Sequence, residues 1–194
     1  VALVNINRIK PPIAPIGLEY IAEALTAAGH ETEILDLAWQ DNAESAIEAF
    51  FFKCDAPLVG ISIRNTDDCA FTTRHSFLRD AASLVQCIRK HTDGFVVLGG
   101  AGFSVMPKEI LSMTEADAGV WGEGEFVFPE LADRIENKLS IDDVPGLCRI
   151  DSNNRFIANS PVFGDLSLLP PMKRNCFDNI RYFMRGGQAA VETS

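Results

Sequence analysis

Short apolar runs alternate with amphipathic stretches through the first 140 residues, and this alternation constrains the fold more than any single motif. "VALVNI" (1–6), "ETEILDL" (31–37), "APLVGISI" (56–63), "GFVVLGG" (94–100) and "AGVWG" (118–122) have strand length and a β-branched or aliphatic core. Helical spacing separates them. "GLEYIAEALTAAG" (17–29) sets Leu18, Ile21, Ala22, Leu25 and Ala28 on one stripe, with Gly29 as a stop. "NAESAIEAFFFK" (42–53) carries Asn42 as a cap, and "SFLRDAASLVQCIRKH" (76–91) is a long helix. "PKEILSM" (107–113) has Pro107 at its first position, and a last helix spans about 125–137. Pro129 fits poorly inside a helix, so regular structure is expected there only from about Phe128. Five strands with intervening helices predict an α/β, doubly wound, Rossmann-like or flavodoxin-like five-stranded parallel sheet, covered on both faces.

The character changes after Ile141. "PGLCRIDSNNRFIAN" (145–159) reads as a β-hairpin turning at Ser152-Asn153-Asn154. Residues 160–187 are rich in Pro, Gly and aromatics with little periodicity, and read as a linker or an arm packed over a surface. "QAAVETS" (188–194) resumes strand character. The predicted division is therefore 1–140, a hairpin and linker over 141–187, and the start of a further domain at 188–194. Val1 already lies in a strand-like run and is not Met, which reads as a trimmed start.

The formal net charge of −10 argues against nucleic acid, whose phosphates need clustered cations. No apolar run approaches the ~18–20 residues that span a bilayer, and a cytoplasmic location is expected. Five cysteines, at 54, 69, 87, 148 and 176, are odd in number and widely spaced without a C-x-x-C, so reduced thiols are expected. Histidines 30, 75 and 91 show no metal-ligand spacing.

In doubly wound sheets ligands sit beyond the carboxyl ends of the strands, which directs attention to the loops at 7–16, 64–75, 99–106 and 122–126. The first has neither G-x-G-x-x-G nor G-K-[ST]. Its prolines 11, 12 and 15 make a stiff crossing, and Gly17 leaves backbone N–H groups open to a ligand. The loop "RNTDDCAFTTRH" (64–75) holds Arg64, Asp67, Asp68, Arg74 and His75. A phospho-acceptor pocket is not supported, because "NINR" closes the first strand without acids, and the aspartates read as solvated or capping. In "LGGAGFSVMP" (98–107), Gly99, Gly100 and Gly102 either let a flat group lie on bare backbone or serve turn geometry alone. Ser104 is a donor there, and the N–H groups opening the helix at Pro107 are expected to face the same cleft. In "GVWGEGEFVFPELADRI" (119–135), Gly122 and Gly124 again remove side chains. Glu123 and Glu125 suit hydroxyl or amide donors and repel a polyphosphate; Glu125 equally suits a helix N-terminus.

"PIGLEYIAEALTAAGHETEILDL", "VGIS", "VVLGGAGFSVMPKEIL" and "DAGVWGEGEFVFPELADRI", in this order over about 1–140, resemble the N-terminal cobalamin-binding domain of cobalamin-dependent radical S-adenosylmethionine enzymes. "LLPPMKR" through "AAVETS" resembles the linker and first barrel strand of those enzymes. The resemblance implies a corrin ring over the 7–18 loop and a nucleotide tail beside the glycine turns. The residues it implicates in cofactor binding are Arg8, Pro15, Gly17, Leu18, Ser62, Arg64, Thr66, Gly99, Gly100, Gly102, Phe103, Ser104, Gly122, Glu123, Gly124 and Glu125. It implies no catalytic residue and no metal ligand in this stretch.

Conventional cobalamin carriers place D-x-H-x-x-G in the first loop, but residues 7–18 contain no His. This favours the radical branch and leaves the lower axial position to water, to no ligand, or to Arg64 or Thr66. The resemblance further implies a C-terminal radical domain in the same parent chain, holding S-adenosylmethionine and an iron–sulfur cluster and supporting methyl transfer or related radical chemistry. The C-x3-C-x2-C of that cluster does not occur here, so this stretch is expected to be inert alone. Two rival readings are a flavodoxin-like, non-enzymatic sensor or interaction domain without corrinoid, and a carrier passing methyl groups between proteins, which the missing histidine disfavours.

Overall fold

A computed structural model of the chain describes residues 1–68, 76–161 and 163–186. Five parallel strands form the centre: β1 (Ala2–Asn5), β2 (Glu33–Asp36), β3 (Leu58–Ser62), β4 (Phe95–Gly99) and β5 (Ala118–Val120). The expected hairpin, β6 (Leu147–Ile150) and β7 (Phe156–Ala158), does not stand apart. β6 pairs antiparallel with β5, giving a seven-stranded sheet of order β2-β1-β3-β4-β5-β6-β7. Every residue of β1 is buried, as a central strand covered on both faces requires.

Two cores follow from the two faces of the sheet. On one, Leu18, Ala22 and Leu25 of α1 (Ile16–Ala27) meet Val127, Phe128 and Leu131 of α6 (Gly124–Glu136). On the other, α2 (Ala43–Phe51), α3 (Leu78–Arg89) and α5 (Pro107–Met113) cover Val4, Val59, Ile61 and Leu98. Asn42 caps α2 as expected, its side chain accepting from the Ser45 N–H at 3.1 Å. Ala28 lies outside the buried stripe of α1, because the helix ends at Ala27.

Three features differ from the sequence expectation. The last helix starts at Gly124, not near Phe128, and takes Pro129 inside it. Pro129 is the sixth residue, so it forgoes one bond near the helix start while Phe128, Leu131 and Ala132 hold the helix on the core. A five-residue helix, α4 (Ala101–Val105), fills what reads as loop. Finally, the aperiodic stretch contains α7 (Asn179–Gly186), of which Tyr182 alone is buried. Cys69, Arg74, His75 and the strand expected at 188–194 lie outside the described residues. No described helix is long and apolar enough to cross a membrane.

Candidate functional site

The carboxyl edge of the sheet carries a cavity of about 570 Å³ between the first turns of α1 and α6, within the usual range of small-molecule sites. The ends of β3, β4 and β5 make its floor, and Leu169, Pro170 and Met172 of the arm roof it. Ten of the residues singled out in the sequence line it: Gly17, Leu18, Ser62, Gly99, Gly100, Ser104, Gly122, Glu123, Gly124 and Glu125. Among the described residues, none of those lining it is Lys or Arg. A second recess of about 340 Å³ lies over the ends of β1 and β3, where the strand order reverses. It holds Arg8 and Arg64, and Ser62 borders both recesses.

The remaining predicted residues fall elsewhere. Pro15 is the N-cap of α1, its carbonyl accepting from Leu18 and Glu19 at 3.0 and 3.3 Å. Thr66 lines neither recess; its hydroxyl donates to Asp67 at 3.3 Å. Phe103 is fully buried under the sheet, and Gly102 packs against the Arg64–Asn65 backbone. Arg8 donates to the Gln40 and Asp41 carbonyls at 3.0 and 3.1 Å, which fixes it at the rim. The expected approach of the α5 N-terminus does not occur, because α4 intervenes and presents Ala101 and Ser104 instead.

The glycines divide by what a side chain would meet. At Gly100 (φ +97°) a Cβ would stand 2.7 Å from the Ile63 carbonyl, and at Gly102 it would stand 2.9 Å from the Arg64 backbone. Those two serve turn geometry. At Gly17 a Cβ meets nothing within 4 Å, and at Gly99 only the Val120 carbonyl at 3.8 Å. No neighbour of Gly17 or Gly99 requires glycine there, and both residues line the cavity. Gly60 differs again, since Phe128 lies directly on it and a Cβ would be 2.6 Å from the ring.

The polar lining is sparse. The Ser104 hydroxyl accepts from the Gly122 N–H at 3.4 Å and keeps its own proton for an acceptor in the cavity. Glu123 accepts from the Gly164 N–H at 2.9 Å, so the acidic turn holds the chain's own arm with one carboxylate oxygen. Gly60, Phe128 and the roof residues escaped the sequence reading. Gly60 within a strand signals a close approach, but nothing local announces the roof, which lies more than 100 residues away from α1.

Comparison with known proteins agrees with this geometry. A family profile described as "B12 binding domain" matches residues 2–132. Tryptophan 2-C-methyltransferase of Streptomyces laurentii is 35% identical over 150 residues, covering 76% of this chain and 25% of that protein. Hopanoid C-3 methylase of Methylococcus capsulatus is 28% identical over 141 residues, covering 70% and 25%. The chain thus spans about a quarter of the length of these curated relatives. Among solved structures, the radical S-adenosylmethionine methyltransferase TsrM of Kitasatospora setae, with cobalamin and a [4Fe-4S] cluster bound, superposes with a TM-score of 0.79 at 32% identity. That match covers 88% of this chain and 30% of that one. The cobalamin-dependent radical enzyme OxsB shares the fold, with a TM-score of 0.68 at 16% identity over 84% of this chain and 22% of that one. With a family match over residues 2–132, which contain the five parallel strands and most of the cavity lining, this chain belongs to the B12-binding domain family.

Proposed function

We propose that the chain binds cobalamin along the carboxyl edge of its sheet, as the cofactor-holding part of a longer radical S-adenosylmethionine methyltransferase. The observation that carries this is the pair of glycines, Gly17 and Gly99, which line the cavity although no neighbouring group requires glycine at either position. The cavity between α1 and α6 suits the nucleotide tail. Leu18, Ile21 and Phe128 supply apolar contact for its base and exclude water. Ser62 and Ser104 offer hydroxyls, and the carboxylates of Glu123 and Glu125 face ribose and amide donors. Two acids and no cation disfavour a polyphosphate nucleotide there. The adjoining recess, with Arg8 and Arg64, suits the acetamide-rich corrin rim, because guanidinium groups donate to amide carbonyls.

Bound cobalamin supplies a cobalt centre that carries a methyl group. The protein's part is to seat the tail, hold the corrin over the recess that Arg8 and Arg64 line, and offer no histidine from the first loop. S-adenosylmethionine, the iron–sulfur cluster and the substrate pocket are assigned to a C-terminal radical domain of the parent chain.

Titration of the 194-residue chain with hydroxocobalamin, followed by gel filtration and the visible spectrum, tests the reading. One cobalamin per chain is expected, without a histidine-ligated spectrum. Gly17→Leu and Gly99→Val should abolish co-elution while leaving the circular dichroism unchanged. Binding that survives both substitutions places the cofactor elsewhere.

A further inference from the structure

The arm over the cavity is attached in a way that a passive linker does not need. Its downstream half is rooted in the core: Phe177 and Tyr182 are buried, and Lys173, Arg174 and Asn179 all meet α1. The Lys173 N–H donates to Glu23 at 3.2 Å, while Arg174 Nε and Asn179 Nδ2 donate to Glu19 at 3.2 and 2.6 Å. Glu19 has no solvent exposure at all, and a carboxylate is tolerated there only because these donors replace water. Arg174 itself has φ +55°, a sharp bend for a residue with a side chain.

The upstream half is held otherwise. Gly164 lies flat on Phe126, where a Cβ would be 2.3 Å from the ring, and its N–H donates to Glu123. Between that point and Lys173, the hydrogen bonds found among the described residues are internal, from the Ser167 and Leu168 N–H groups to Asp165. Leu168 projects into solvent at 76% exposure. The segment that roofs the cavity is thus bound firmly at one end and caught by a charge-assisted bond at the other, and the hydrogen bonds found between them among the described residues are all within the segment. The catch sits on the turn at 122–125, which lines the cavity itself.

We propose that residues 163–172 are a strap, hinged at Lys173-Arg174 and caught at Gly164 on Glu123 and Phe126, that gates entry and release of the cavity's ligand. This inference rests on the cobalamin reading above. It assigns Leu169, Pro170 and Met172 as a movable wall of the site. Opening at the catch breaks one charge-assisted bond and the contact of Gly164 with the Phe126 ring.

Stopped-flow absorbance with hydroxocobalamin tests it, measuring association and release separately. Gly164→Ala pushes a methyl into the Phe126 ring and releases the catch; both rates should rise, release by about tenfold, as expected for losing one bond to a charged group. Leu169→Ala with Met172→Ala, at partly exposed positions that do not threaten folding, should speed release likewise. An association rate unchanged in Gly164→Ala, with only release altered, makes the arm a fixed wall and overturns the strap. Wild-type chain that takes up no cobalamin overturns the binding reading, and the strap falls with it.

Discussion

The Tyr182 hydroxyl lies 2.8 and 3.0 Å from the two carboxylate oxygens of Asp36, across 146 positions of sequence. Asn5 completes the group, its side-chain amide donating to Asp36 at 2.8 Å and to the Tyr182 oxygen at 3.1 Å. The tips of β1 and β2 are thereby joined to α7, and Trp39 packs against the Tyr182 ring at 4.7 Å with Arg181 over its own face. Tyr182→Phe keeps the packing and leaves Asn5 and Asp36 one partner short. It should lower stability by about 1–2 kcal/mol, read from urea denaturation.

The same phenol gives an alkaline signature. Burial, then the nearby Asp36 charge, pushes the Tyr182 hydroxyl well above its ordinary value. The folded state therefore holds that proton more tightly than the unfolded chain. Its contribution is complete below pH ~10 and declines as the pH rises beyond it, by at most ~1.4 kcal/mol per unit. Denaturation curves from pH 9 to 11 should show a shallower loss in Tyr182→Phe than in wild type.

Cys148 is a fully buried residue of β6, paired with Gly119 of β5, and its thiol donates to the Gly119 carbonyl at 3.4 Å. Burial pushes that thiol up to about 12. Iodoacetamide at pH 8 should leave Cys148 unmodified in the native chain and alkylate it promptly in urea, as peptide mass spectrometry would reveal.

Phe103 and Gly119 make a shape-matched pair. A Cβ on Gly119 would stand 2.0 Å from the ring. Gly119→Ala should cost roughly 1–3 kcal/mol, or more if the ring cannot move, and Phe103→Leu in the same chain should recover part of it. Thermal melts of the two single variants and the double variant would measure the coupling.

Gly17 offers the opposite behaviour. Leucine in place of a helical glycine relieves a propensity penalty of about 1 kcal/mol and meets open space. Gly17→Leu should melt at the wild-type temperature or above it while losing cobalamin. A parallel loss of stability and binding would instead make Gly17 a fold residue.

Much of this was legible in the sequence because periodicity and glycine placement are local signals. The five parallel strands, the Asn42 cap and the walls at 17–18, 99–104 and 122–125 all announce themselves within a few residues. The arm does not. In α7 the apolar residues at helical spacing, Ile180, Phe183 and Met184, are exposed and Tyr182 alone is buried, so the sequence pattern does not mark the packed face. Glu19 and Glu23 lie outside the apolar stripe of α1, yet they are buried and meet residues some 150 positions later. Pro129 looks like a helix break in the sequence because the core contacts of Phe128, Leu131 and Ala132 that outweigh its penalty exist only in the fold. Gly100 and Gly99 look alike in sequence, and only three-dimensional neighbours separate a strained turn from an open wall.

The antiparallel hairpin has a practical corollary. β6 begins beside the top of β5, since Leu147 pairs with Val120, and β7 returns so that Ala158 pairs with Cys148. The chain is thereby delivered back to the carboxyl edge just before the arm. The turn at Ser152–Asn154 points the other way, a strand length or roughly 10 Å from the cavity rim. A fluorophore or peptide tag spliced at Asn153 would ride on the rigid sheet yet stay clear of whatever enters, covers or leaves the ligand edge.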